Sequence, residues 1–440
     1  MIKPQAISWF NENLPENQII EDRFKEIIRK NYNLSGFTPI DTPVVERLDI
    51  LTSKWADDNE IYGLHRINGE VWDDASLWLR FDLTVPLARY VAQYEWELTF
   101  PFRRQHISRV YRWERPQKGR YREFYQADVD IIWNWKLPLF ADVEVLSTIY
   151  NSLKELNFWD FKINMNNKKF LWGFLSSIWI SEDKIVQTIS VIDKKDKVRG
   201  DKLKEMYLEV WIEENQIEKI REFINFWEEN SSKEIIVNYS NIDNELLKEG
   251  IKELSFVYNS LIDLWVDESF IKINPSISRG LNYYTWTVFE TFIAGYEKMW
   301  SVSSGWRYEN LCWNFTKNSY PWVWWSIGLS RLIAVLNEVW KLEVSRKTNS
   351  KVMVVNMWDN MLKNNLDIVN ALRKAWINTE LYLDWETKIQ KQLKYAHNKQ
   401  INYVIICGWN ELENWIVQIK NIDLGEQVEI KQTEITNYIK

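Results

Sequence analysis

Tryptophan is abundant and glycine is scarce in this chain, which restricts the backbone turns that the chain can make. The 440 residues contain 27 tryptophans but only 13 glycines, whereas average usage predicts about 31 glycines. The two counts together make 40, which is close to an ordinary glycine total. Glycine enters left-handed backbone conformations without steric cost. A chain this poor in glycine should therefore be poor in tight turns and in glycine-capped helix ends.

Several tryptophans stand where a turn or a helix end normally requires glycine. Trp376 follows a helical pattern and precedes the strand-like residues 379–383, as a glycine does at a helix C-terminus. Asn414 and Trp415 lie between extended segments, which predicts the turn of a tight hairpin. Further tryptophans follow apolar-periodic stretches or lie in predicted turns: Trp159, Trp265, Trp340, and those within residues 133–135 and 321–325.

We hypothesise that many of these tryptophans, up to all of them, are glycine in the natural protein. The codon UGA is a stop in the standard code, tryptophan in one variant code and glycine in another. A glycine-coding gene that is read with the tryptophan table would give this pattern. The alternative is an unusually aromatic protein. A non-glycine residue in a left-handed conformation costs roughly 1–2 kcal/mol. The total cost of a dozen such sites would therefore equal or exceed the free energy of unfolding of a normal domain, about 5–15 kcal/mol.

Length, charge and cysteine usage restrict the class of protein. A chain of 440 residues predicts two or three domains with a sizeable core. The net charge of −7 excludes a polycation, so any contact with nucleic acid must come from a local patch. Cys312 and Cys407 are far apart and the three histidines are scattered, which argues against disulfides and against a structural metal site. Without a signal-peptide core or an apolar run near the roughly 20 residues of a membrane span, we expect a cytoplasmic protein that does not contact a membrane.

The periodicity of apolar residues predicts a large region of helices and strands, a helical insertion within it and a C-terminal block. Helices are predicted over 16–31, 84–94, 138–156 and 326–338, extended segments over 36–46, 60–83 and 105–133, and a mixture of strand-like and turn residues over 270–325. Residues 170–260 are rich in lysine and glutamate and helical in pattern, which indicates an inserted helical subdomain. Strands at 352–355, 379–383 and 403–406 alternate with helices, which predicts a small α/β domain with parallel strands.

A basic segment between two predicted strands is the densest chemical signal in the sequence. Residues 102–122 contain one acid, Glu114, and eight cations: Arg103, Arg104, Arg109, Arg112, Arg115, Lys118, Arg120 and Arg122. Arginine predominates, as is typical of sites that bind phosphates in a bidentate manner. On the following strand, alternation places Gln126, Asp128 and Asp130 on one face, a polar stripe that a core would not tolerate without ligands. These features predict an anion site beside a polar pocket; for the basic run alone, a solvated hairpin is the alternative.

Five segments resemble the signature motifs of the class II histidyl-tRNA synthetases. Residues 36–46 resemble motif 1 of the class, residues 112–126 motif 2 and residues 328–332 motif 3. Residues 278–290 and 304–308 resemble the two segments that distinguish the histidine enzymes. The resemblance covers nearly the whole chain and is weakest over 170–260. At Trp286, Trp306 and Trp376 the family has glycine, which gives the recoding hypothesis a second line of support.

The resemblance implies a role for each matching residue. It implies an ATP site formed by Arg112, Glu114, Arg120 and Arg331, with Arg112 on the α-phosphate and Arg331 against the adenine. It implies that Arg279 and Arg112 stabilise the charge that develops at the scissile phosphate. Histidine would be bound through its ammonium by Asp82, Thr84 and Gln126 and through its imidazole by Asp130 and Tyr284. The acceptor end of the tRNA would meet Arg115 and Gln117. ATP is then a substrate that acts with Mg²⁺, and the protein itself holds no metal.

The function implied by the resemblance is activation of L-histidine with ATP and its transfer to the 3′ end of tRNA-His by a homodimer. The implied fold is an α+β catalytic core over 1–340 with an antiparallel sheet and the helical insertion at 170–260. An α/β anticodon-binding domain over 350–440 follows it. The main rival hypothesis is a catalytically inactive, synthetase-like regulatory subunit of ATP phosphoribosyltransferase. Two further hypotheses are a class II synthetase of another specificity and a nucleic-acid-binding or kinase-regulatory module with a degenerate synthetase domain.

Overall fold

The computed structural model describes most of the chain in two compact units. The described residues are 1–53, 60–65, 67, 77–115, 117–157, 160–195, 198, 200–277, 287–297, 301–339, 342, 346–357 and 359–439. The first unit comprises Met1–Asn11 and Phe24–Leu342, and the second comprises Glu12–Arg23 and Glu343–Lys440. Within these ranges, none of the helices combines the length and the apolar character needed to cross a membrane.

The chain as far as residue 339 contains eleven described helices and ten described strands. The helices are α1 (Pro15–Leu34), α2 (Leu48–Leu51), α3 (Thr84–Gln93), α4 (Phe140–Leu156), α5 (Lys168–Ser177), α6 (Glu182–Ile192), α7 (Asp201–Glu209), α8 (Glu214–Glu229), α9 (Ser232–Tyr239), α10 (Glu245–Asp263) and α11 (Leu329–Glu338). The strands are β1 (Thr38–Pro39), β2 (Val45–Arg47), β3 (Leu77–Leu79), β4 (Phe102–Tyr111), β5 (Glu123–Ile132), β6 (Phe161–Asn167), β7 (Ile271–Ile273), β8 (Thr287–Ile293), β9 (Ser303–Tyr308) and β10 (Trp322–Ile327).

An eight-stranded sheet forms the centre of the first unit, in the order β1-β4-β5-β10-β9-β8-β6-β7. Its six inner strands pair in antiparallel fashion, and only the edge pairs β1–β4 and β6–β7 are parallel. Helices α5 to α10 lie between β6 and β7 in the chain, so they form the connection that a parallel pair requires. The predicted antiparallel catalytic sheet with a helical insertion is confirmed.

One face of this sheet packs against α4 through a buried ion pair. The guanidinium of Arg307 on β9 donates from Nε to both carboxylate oxygens of Asp142 on α4, at 2.9 and 2.8 Å. It also donates to the carbonyl oxygens of Leu137 and Pro138 at 3.2 and 2.8 Å. Because these bonds satisfy the buried charges from several directions, α4 is fixed on this face and the opposite face remains available for a site.

The second unit contains a five-stranded mixed sheet in the order β12-β11-β13-β14-β15. Its strands are β11 (Val352–Val354), β12 (Thr379–Leu381), β13 (Tyr403–Ile406), β14 (Ile416–Asn421) and β15 (Gln427–Lys431), and its helices are α12 (Leu362–Lys374), α13 (Ile389–Lys399), α14 (Trp409–Glu413) and α15 (Ile435–Ile439). The first three strands are parallel, as the alternation predicts. Strands β14 and β15 add an antiparallel hairpin whose turn follows Asn421 and does not lie at Asn414 and Trp415, where the sequence predicts one.

Four helices end in the same backbone motif, with tryptophan at its left-handed position. After α5, α7, α10 and α12 the second residue is Trp179, Trp211, Trp265 or Trp376, with φ of 65°, 61°, 63° and 61° respectively. At each end, the backbone N–H of the tryptophan donates to the carbonyl oxygen of the residue three positions before it. The N–H of the residue after the tryptophan donates to the carbonyl oxygen five positions before that residue. This is the Schellman motif, whose left-handed position is usually glycine. Helix α1 ends in the same two bonds with a true glycine, Gly36, at φ 75°.

Some of the predicted turns are wrong. The sequence predicts a turn at residues 321–325, but Trp322–Ile327 form strand β10 inside the sheet, and the helix predicted from 326 begins at Leu329. Trp415 does have a positive φ, of 55°, but it follows α14 and does not join two strands. Bulky residues at 322–325 pack on both faces of the sheet, with Trp322 and Trp325 fully buried, and this removes the alternation that would identify a strand. Trp159 and Trp340 lie outside the described residues.

Candidate active site

One face of the large sheet carries a buried polar stripe across two neighbouring strands. On β5 the stripe consists of Gln126, Asp128 and Asp130, which are at most 8% exposed. The β4 residues directly opposite are Ser108, His106 and Arg104, and opposed residues of paired strands share a face. The alternation that predicted the β5 stripe is therefore present, and β4 supplies a second polar row beside it.

Three oxygen atoms of this stripe are buried without a hydrogen-bond donor among the described residues. They are Oε1 of Gln126, Oδ1 of Asp128 and Oδ1 of Asp130. A buried acceptor left without a partner costs about 1–3 kcal/mol, and more if it is charged. Three such atoms at alternate positions on one strand indicate a pocket whose ligand supplies N–H donors.

Arg104 on β4 binds Asp130, the acid directly opposite it on β5. Its Nη1 donates to Oδ2 of Asp130 at 2.5 Å, and its Nη2 donates to the carbonyl oxygen of Leu83 at 3.1 Å. Nη2 also lies 3.1 Å from Nδ1 of His106, and Nε2 of His106 lies 2.9 Å from Oδ1 of Asp41. Because Nδ1 faces a donor, it accepts, and Nε2 carries the proton that is donated to Asp41. Burial, together with the nearby arginines, lowers the pKa of His106 to about 2, so the ring is neutral.

This arrangement corrects the interpretation of the basic run as one anion site. Arg103 pairs with Glu144 at 2.7 Å, and Arg109 lies 3.4 Å from Glu123. Three more cations of the run are also paired with other groups. Arg104 pairs with Asp130, Lys118 pairs with Glu338, and Arg122 lies over the ring of Trp113. The alternation of β4 sends successive arginines to opposite faces, where each meets a different acid or ring.

The remaining basic residues form a second cluster around the loop that joins β4 and β5. The guanidinium of Arg112 donates from Nε to the carbonyl oxygen of Phe81 at 2.8 Å. Glu114 lies between two cations, 3.5 Å from Arg112 and 3.3 Å from Arg120. Arg331 at the start of α11 donates to the carbonyl oxygen of Gly119 in this loop, at 3.3 Å. The structure thus brings Arg112, Glu114, Arg120 and Arg331 together, as predicted from the motifs.

Asp82 caps the first turn of α3 between the two clusters. Its Oδ1 accepts from the backbone N–H of Val85 at 3.0 Å, and Thr84, the first residue of α3, is buried. Burial raises the pKa of Asp82 to about 6, although this hydrogen bond and Arg112 oppose the shift. Burial likewise raises the pKa of Asp130 to about 7, against the opposing charge of Arg104.

The other predicted site residues differ in how far the structure describes them. Arg115 and Gln117 are exposed in the loop between β4 and β5, where the backbone carbonyl of Gln117 accepts the backbone N–H of Arg120 at 2.8 Å. Their exposure is what a contact with a macromolecule requires. Arg279 and Tyr284 lie outside the described residues, so their roles stay predictions.

Two indole rings lie against the polar stripe. Trp324 on β10 is opposite Asp130, and its Nε1 donates to Oδ2 of Asp128 at 2.9 Å. Trp306 on β9 is opposite Trp324, and the two rings lie 4.6 Å apart at 67°. With tryptophan at these positions, one oxygen of Asp128 is bound by an indole and the other, Oδ1, has no donor among the described residues.

Sequence reasoning missed Arg104, His106 and Asp41 as residues of the site. A usable signal was present, because Arg104 and His106 alternate along β4 as Asp128 and Asp130 do along β5. If the loop between the strands is short, two such rows must face each other in a hairpin. Asp41 carried no comparable signal, since it is distant in sequence and its side chain is 83% exposed.

Comparisons with known proteins cover the same regions as the motifs. The family model for histidyl-tRNA synthetase matches residues 9–332, and the model for an anticodon binding domain matches residues 351–440. The chain belongs to the histidyl-tRNA synthetase family. The histidine–tRNA ligase of Clostridium tetani is 41% identical over 445 residues, covering 100% of this chain and 99% of the relative. Family membership over the full length gives the chain histidyl-tRNA synthetase function, and it is an enzyme of the ligase class.

Two solved structures are similar to this member of the family. Histidyl-tRNA synthetase from Nostoc sp. PCC 7120 has a TM-score of 0.92 at 34% identity and covers 100% of this chain and 99% of its own. An ATP phosphoribosyltransferase regulatory subunit/histidyl-tRNA synthetase from Bacillus halodurans has a TM-score of 0.74 at 20% identity, over 92% of this chain and 99% of its own. The second likeness shows the fold alone. The α+β catalytic domain and the C-terminal anticodon-binding domain predicted from the sequence are confirmed.

Proposed function

We propose that the polar stripe binds histidine and that the adjoining arginine cluster binds ATP, so that the two react at their common edge. The chain then activates histidine to histidyl-adenylate and transfers it to the 3′ end of tRNA-His. The observation that carries this proposal is the row of buried, partnerless oxygens on β5 beside the cluster of Arg112, Arg120 and Arg331. We assign catalysis to residues 1–340, with the insertion at 170–260, and anticodon reading to residues 350–440.

Histidine recognition is assigned to the stripe and the start of α3. The imidazole of histidine offers a donor and an acceptor together. Asp130, with its partnerless Oδ1, accepts the ring N–H, and the phenol of Tyr284 meets the other nitrogen. Asp82, Thr84 and Gln126 bind the ammonium group. A site built in this way rejects apolar analogues because its own buried groups would then be left unpaired.

ATP recognition is assigned to the second cluster. Arg112 binds the α-phosphate, Glu114 and Arg120 hold the rest of the nucleotide, and Arg331 stacks on the adenine. The carboxylate of histidine attacks the α-phosphorus, and the bond to the bridging oxygen breaks, so that pyrophosphate leaves with its electron pair. Arg112 and Arg279 stabilise the charge that develops there. No protein nucleophile is needed, because positioning and charge neutralisation lower the barrier.

Transfer to tRNA uses the exposed loop between β4 and β5. A ribose hydroxyl of the terminal adenosine attacks the carbonyl carbon of the mixed anhydride and gives up its proton to water. The bond between that carbon and the phosphate oxygen breaks, and AMP leaves with the electron pair. Arg115 and Gln117 are assigned to the acceptor end of tRNA-His because both are exposed next to the ATP cluster. Substitution of Arg115 is therefore expected to slow transfer without changing histidine activation.

Mg²⁺ is assigned to ATP and not to a site built by the protein alone. Among the described residues, no group of three or more histidine, cysteine, aspartate or glutamate side chains could hold a metal ion. Mg²⁺ at nucleotide sites is held largely by the phosphates of the substrate, so we assign it no ligand among the protein's own residues. When bound with ATP, the ion neutralises phosphate charge.

We further propose that the enzyme is a cytoplasmic homodimer. The dimer is assigned to residues 36–46, where β1 and β2 flank a proline-interrupted segment at one edge of the sheet. Sedimentation equilibrium should give twice the mass of the 53.2 kDa chain, and a monomer at micromolar concentration would contradict the assignment.

We also propose that tryptophans of this chain, including those at helix ends and in the pocket, are glycine in the natural protein. Of the eight described non-glycine residues with positive φ, six are tryptophan: Trp9, Trp179, Trp211, Trp265, Trp376 and Trp415. Trp265 and Trp376 are also 93% and 94% exposed, where an indole gains nothing from burial. The same Schellman motif uses Gly36 after α1. Glycine explains the backbone, the exposure and the indoles over the stripe together.

The recoding proposal is tested by the gene and by the natural protein. UGA codons are expected at Trp376 and Trp306, and mass spectrometry of peptides from the source cells should give the residue mass of glycine at both. A UGG codon at either position removes that position from the proposal. An indole detected by mass at Trp306 would contradict the assignment of histidine to this pocket.

The catalytic proposal is tested by ATP–pyrophosphate exchange with each of the twenty amino acids, on protein made with glycine at the tryptophan positions. Exchange is expected with histidine only, followed by charging of tRNA-His. Exchange with another amino acid would overturn the specificity. Arg279→Ala should abolish exchange while leaving histidine binding, measured by calorimetry, largely intact. The regulatory-subunit hypothesis predicts no exchange, and it does not account for the anticodon binding domain match at residues 351–440.

A further inference from the structure

We infer that Arg104, His106 and Asp41 form a relay of hydrogen bonds that positions the carboxylate of Asp130 for the substrate's imidazole. This inference rests on the proposed function of the stripe, since it assumes that Asp130 contacts histidine. The three residues are called the positioning relay below. None of them is assigned a contact with substrate, so each acts through Asp130.

Arg104 is the inner member of the positioning relay and is held in one orientation. It is fully buried, and its guanidinium donates in three directions: to Asp130, to the carbonyl oxygen of Leu83 and to Nδ1 of His106. A planar guanidinium that meets three fixed acceptors has little freedom to rotate. Because one oxygen of Asp130 is bound by Arg104, the other, Oδ1, remains for a ligand.

Arg104 also compensates for the like charges in the stripe. Its Nη1 lies 3.9 Å from Oδ2 of Asp128 as well as 2.5 Å from Asp130. Two buried carboxylates on alternate positions of one strand repel each other, and without a cation one of them would take up a proton. A protonated Asp130 could no longer serve as a charged acceptor for the imidazole N–H. Correct placement of Arg104 is therefore a requirement for histidine binding and not for ATP binding.

His106 and Asp41 fix Arg104 from the outside. Both ring nitrogens of His106 are used, one toward Arg104 and the other toward Asp41, so the ring can neither flip nor change tautomer without losing both bonds. Arg80 supports the outer end, with Nη1 at 3.8 Å from Asp41 and 2.6 Å from the carbonyl oxygen of Thr42. The relay thus runs from the surface segment 36–46 to the floor of the pocket.

The test compares His106→Leu with His106→Gln in ATP–pyrophosphate exchange. Leucine fills a similar volume but makes neither hydrogen bond. Glutamine offers an oxygen to Arg104 and an N–H to Asp41. Of the two lost bonds, only the one to Arg104 acts directly on the residue that holds Asp130. We therefore expect His106→Leu to lower kcat/KM for histidine by about tenfold, the effect of losing that charge-assisted bond. The KM for ATP should stay within about twofold, and His106→Gln should recover most of the loss.

A second variant covers the case in which His106→Leu fails to fold. Asp41→Ala changes a side chain that is largely exposed in the single chain, so the fold should tolerate it. It is expected to raise the KM for histidine by a few-fold at unchanged KM for ATP, in enzyme that sedimentation shows to be dimeric like the parent. Asp49→Ala is the matched control, because Asp49 is an exposed acid that pairs with Arg47 outside the relay. It should leave both constants unchanged.

The outcomes separate the relay from the proposed function. If the parent enzyme exchanges with histidine and both relay variants match it, the relay is refuted while the proposed function stands. Equal losses for histidine and ATP would also refute it, since they would indicate general damage to the fold. A parent enzyme that fails to exchange with histidine would remove the proposed function and the relay together.

Discussion

At the scale of single residues, burial decides when the two acids assigned to histidine are ionised. Burial raises the pKa of Asp130 to about 7 and that of Asp82 to about 6, both above the ordinary value of 3.8 for aspartate. A group with a raised pKa is charged only above that value. In the proposed site the charged forms accept the imidazole N–H and pair with the ammonium group, so we expect histidine binding to weaken as the pH falls.

We predict that kcat/KM for histidine declines as the pH is lowered through about 7, with a further step near 6. This constant reports the ionisation of the free enzyme, and ATP–pyrophosphate exchange at saturating ATP measures it. Free histidine titrates in the same range, so Asp130→Asn serves as the control, which should lose the upper enzyme step at a lower overall rate. A profile for the parent that superimposes on the Asp130→Asn profile would contradict the assignment.

The residues Trp306 and Trp324 lead to a second prediction at this scale. In the tryptophan-containing chain the indole of Trp324 donates to Oδ2 of Asp128 and lies opposite Asp130, so it takes up space beside the acid assigned to the imidazole. Replacing both tryptophans by glycine should tighten histidine binding by more than about tenfold, since the two indoles then no longer take up the space beside Asp130. Titration calorimetry measures this change. Trp135→Gly, in an exposed loop, is the control, and no gain in the double variant would count against glycine in the pocket.

At the scale of elements, the helix ends show what the left-handed tryptophans cost. Trp376 closes α12 with φ 61°, and its side chain is almost fully exposed. Trp376→Gly should raise the free energy of unfolding by about 1–2 kcal/mol, the cost of a left-handed non-glycine residue. Urea titration measures the change. Trp96→Gly is the matched control, because Trp96 is about as exposed but is not among the residues with positive φ. It should gain nothing, and equal effects at both sites would refute the backbone argument.

The crossing of α5 and α10 gives a prediction of the opposite sign. A Cβ on Gly250 would lie 2.3 Å from the backbone nitrogen of Phe170, which is far inside contact distance. Gly250→Ala should therefore destabilise the insertion by about 1–3 kcal/mol through overpacking, even though alanine is the better helix former by about 1 kcal/mol. Lys252→Ala, on the exposed face of α10, is the control for helix propensity, because it introduces alanine into the same helix at an exposed position. Stabilisation by Gly250→Ala, measured in urea, would show that the helices can separate at little cost.

The elements that sequence reasoning predicted correctly are those whose signal is local. Helices α3 and α4 follow from apolar spacing alone, and the stripe of Asp128 and Asp130 follows from strand alternation. Strand β10 was missed because its bulky residues pack on both faces of the sheet and leave no alternation. The partner of Asp130 was missed because it depends on the register between β4 and β5. Register is set by the hairpin as a whole, and no single residue reveals it.

At the scale of the whole molecule, the left-handed tryptophans add up to an effect as large as folding stability itself. Six described tryptophans have positive φ, and at roughly 1–2 kcal/mol each they cost about 6–12 kcal/mol in total. The sites are dispersed along the chain, so their effects should add. A normal domain is stable by only about 5–15 kcal/mol. The tryptophan-containing chain should therefore be only marginally stable.

We predict that glycine at these six positions alone restores most of the stability. Two of the other tryptophans differ in kind, because Trp322 and Trp325 are fully buried in β10 and Trp325 stacks on Phe289 with ring centres 5.1 Å apart. Glycine there removes packing and adds backbone entropy to the unfolded chain. Urea unfolding of three forms of the protein tests this prediction. The first has tryptophan at every position, the second has glycine at the six positions with positive φ, and the third has glycine at all 27 tryptophan positions. The six-site form should exceed the first form by several kcal/mol. If it does not, the strain assigned to the left-handed tryptophans is absent, and the case for recoding depends on the codons alone.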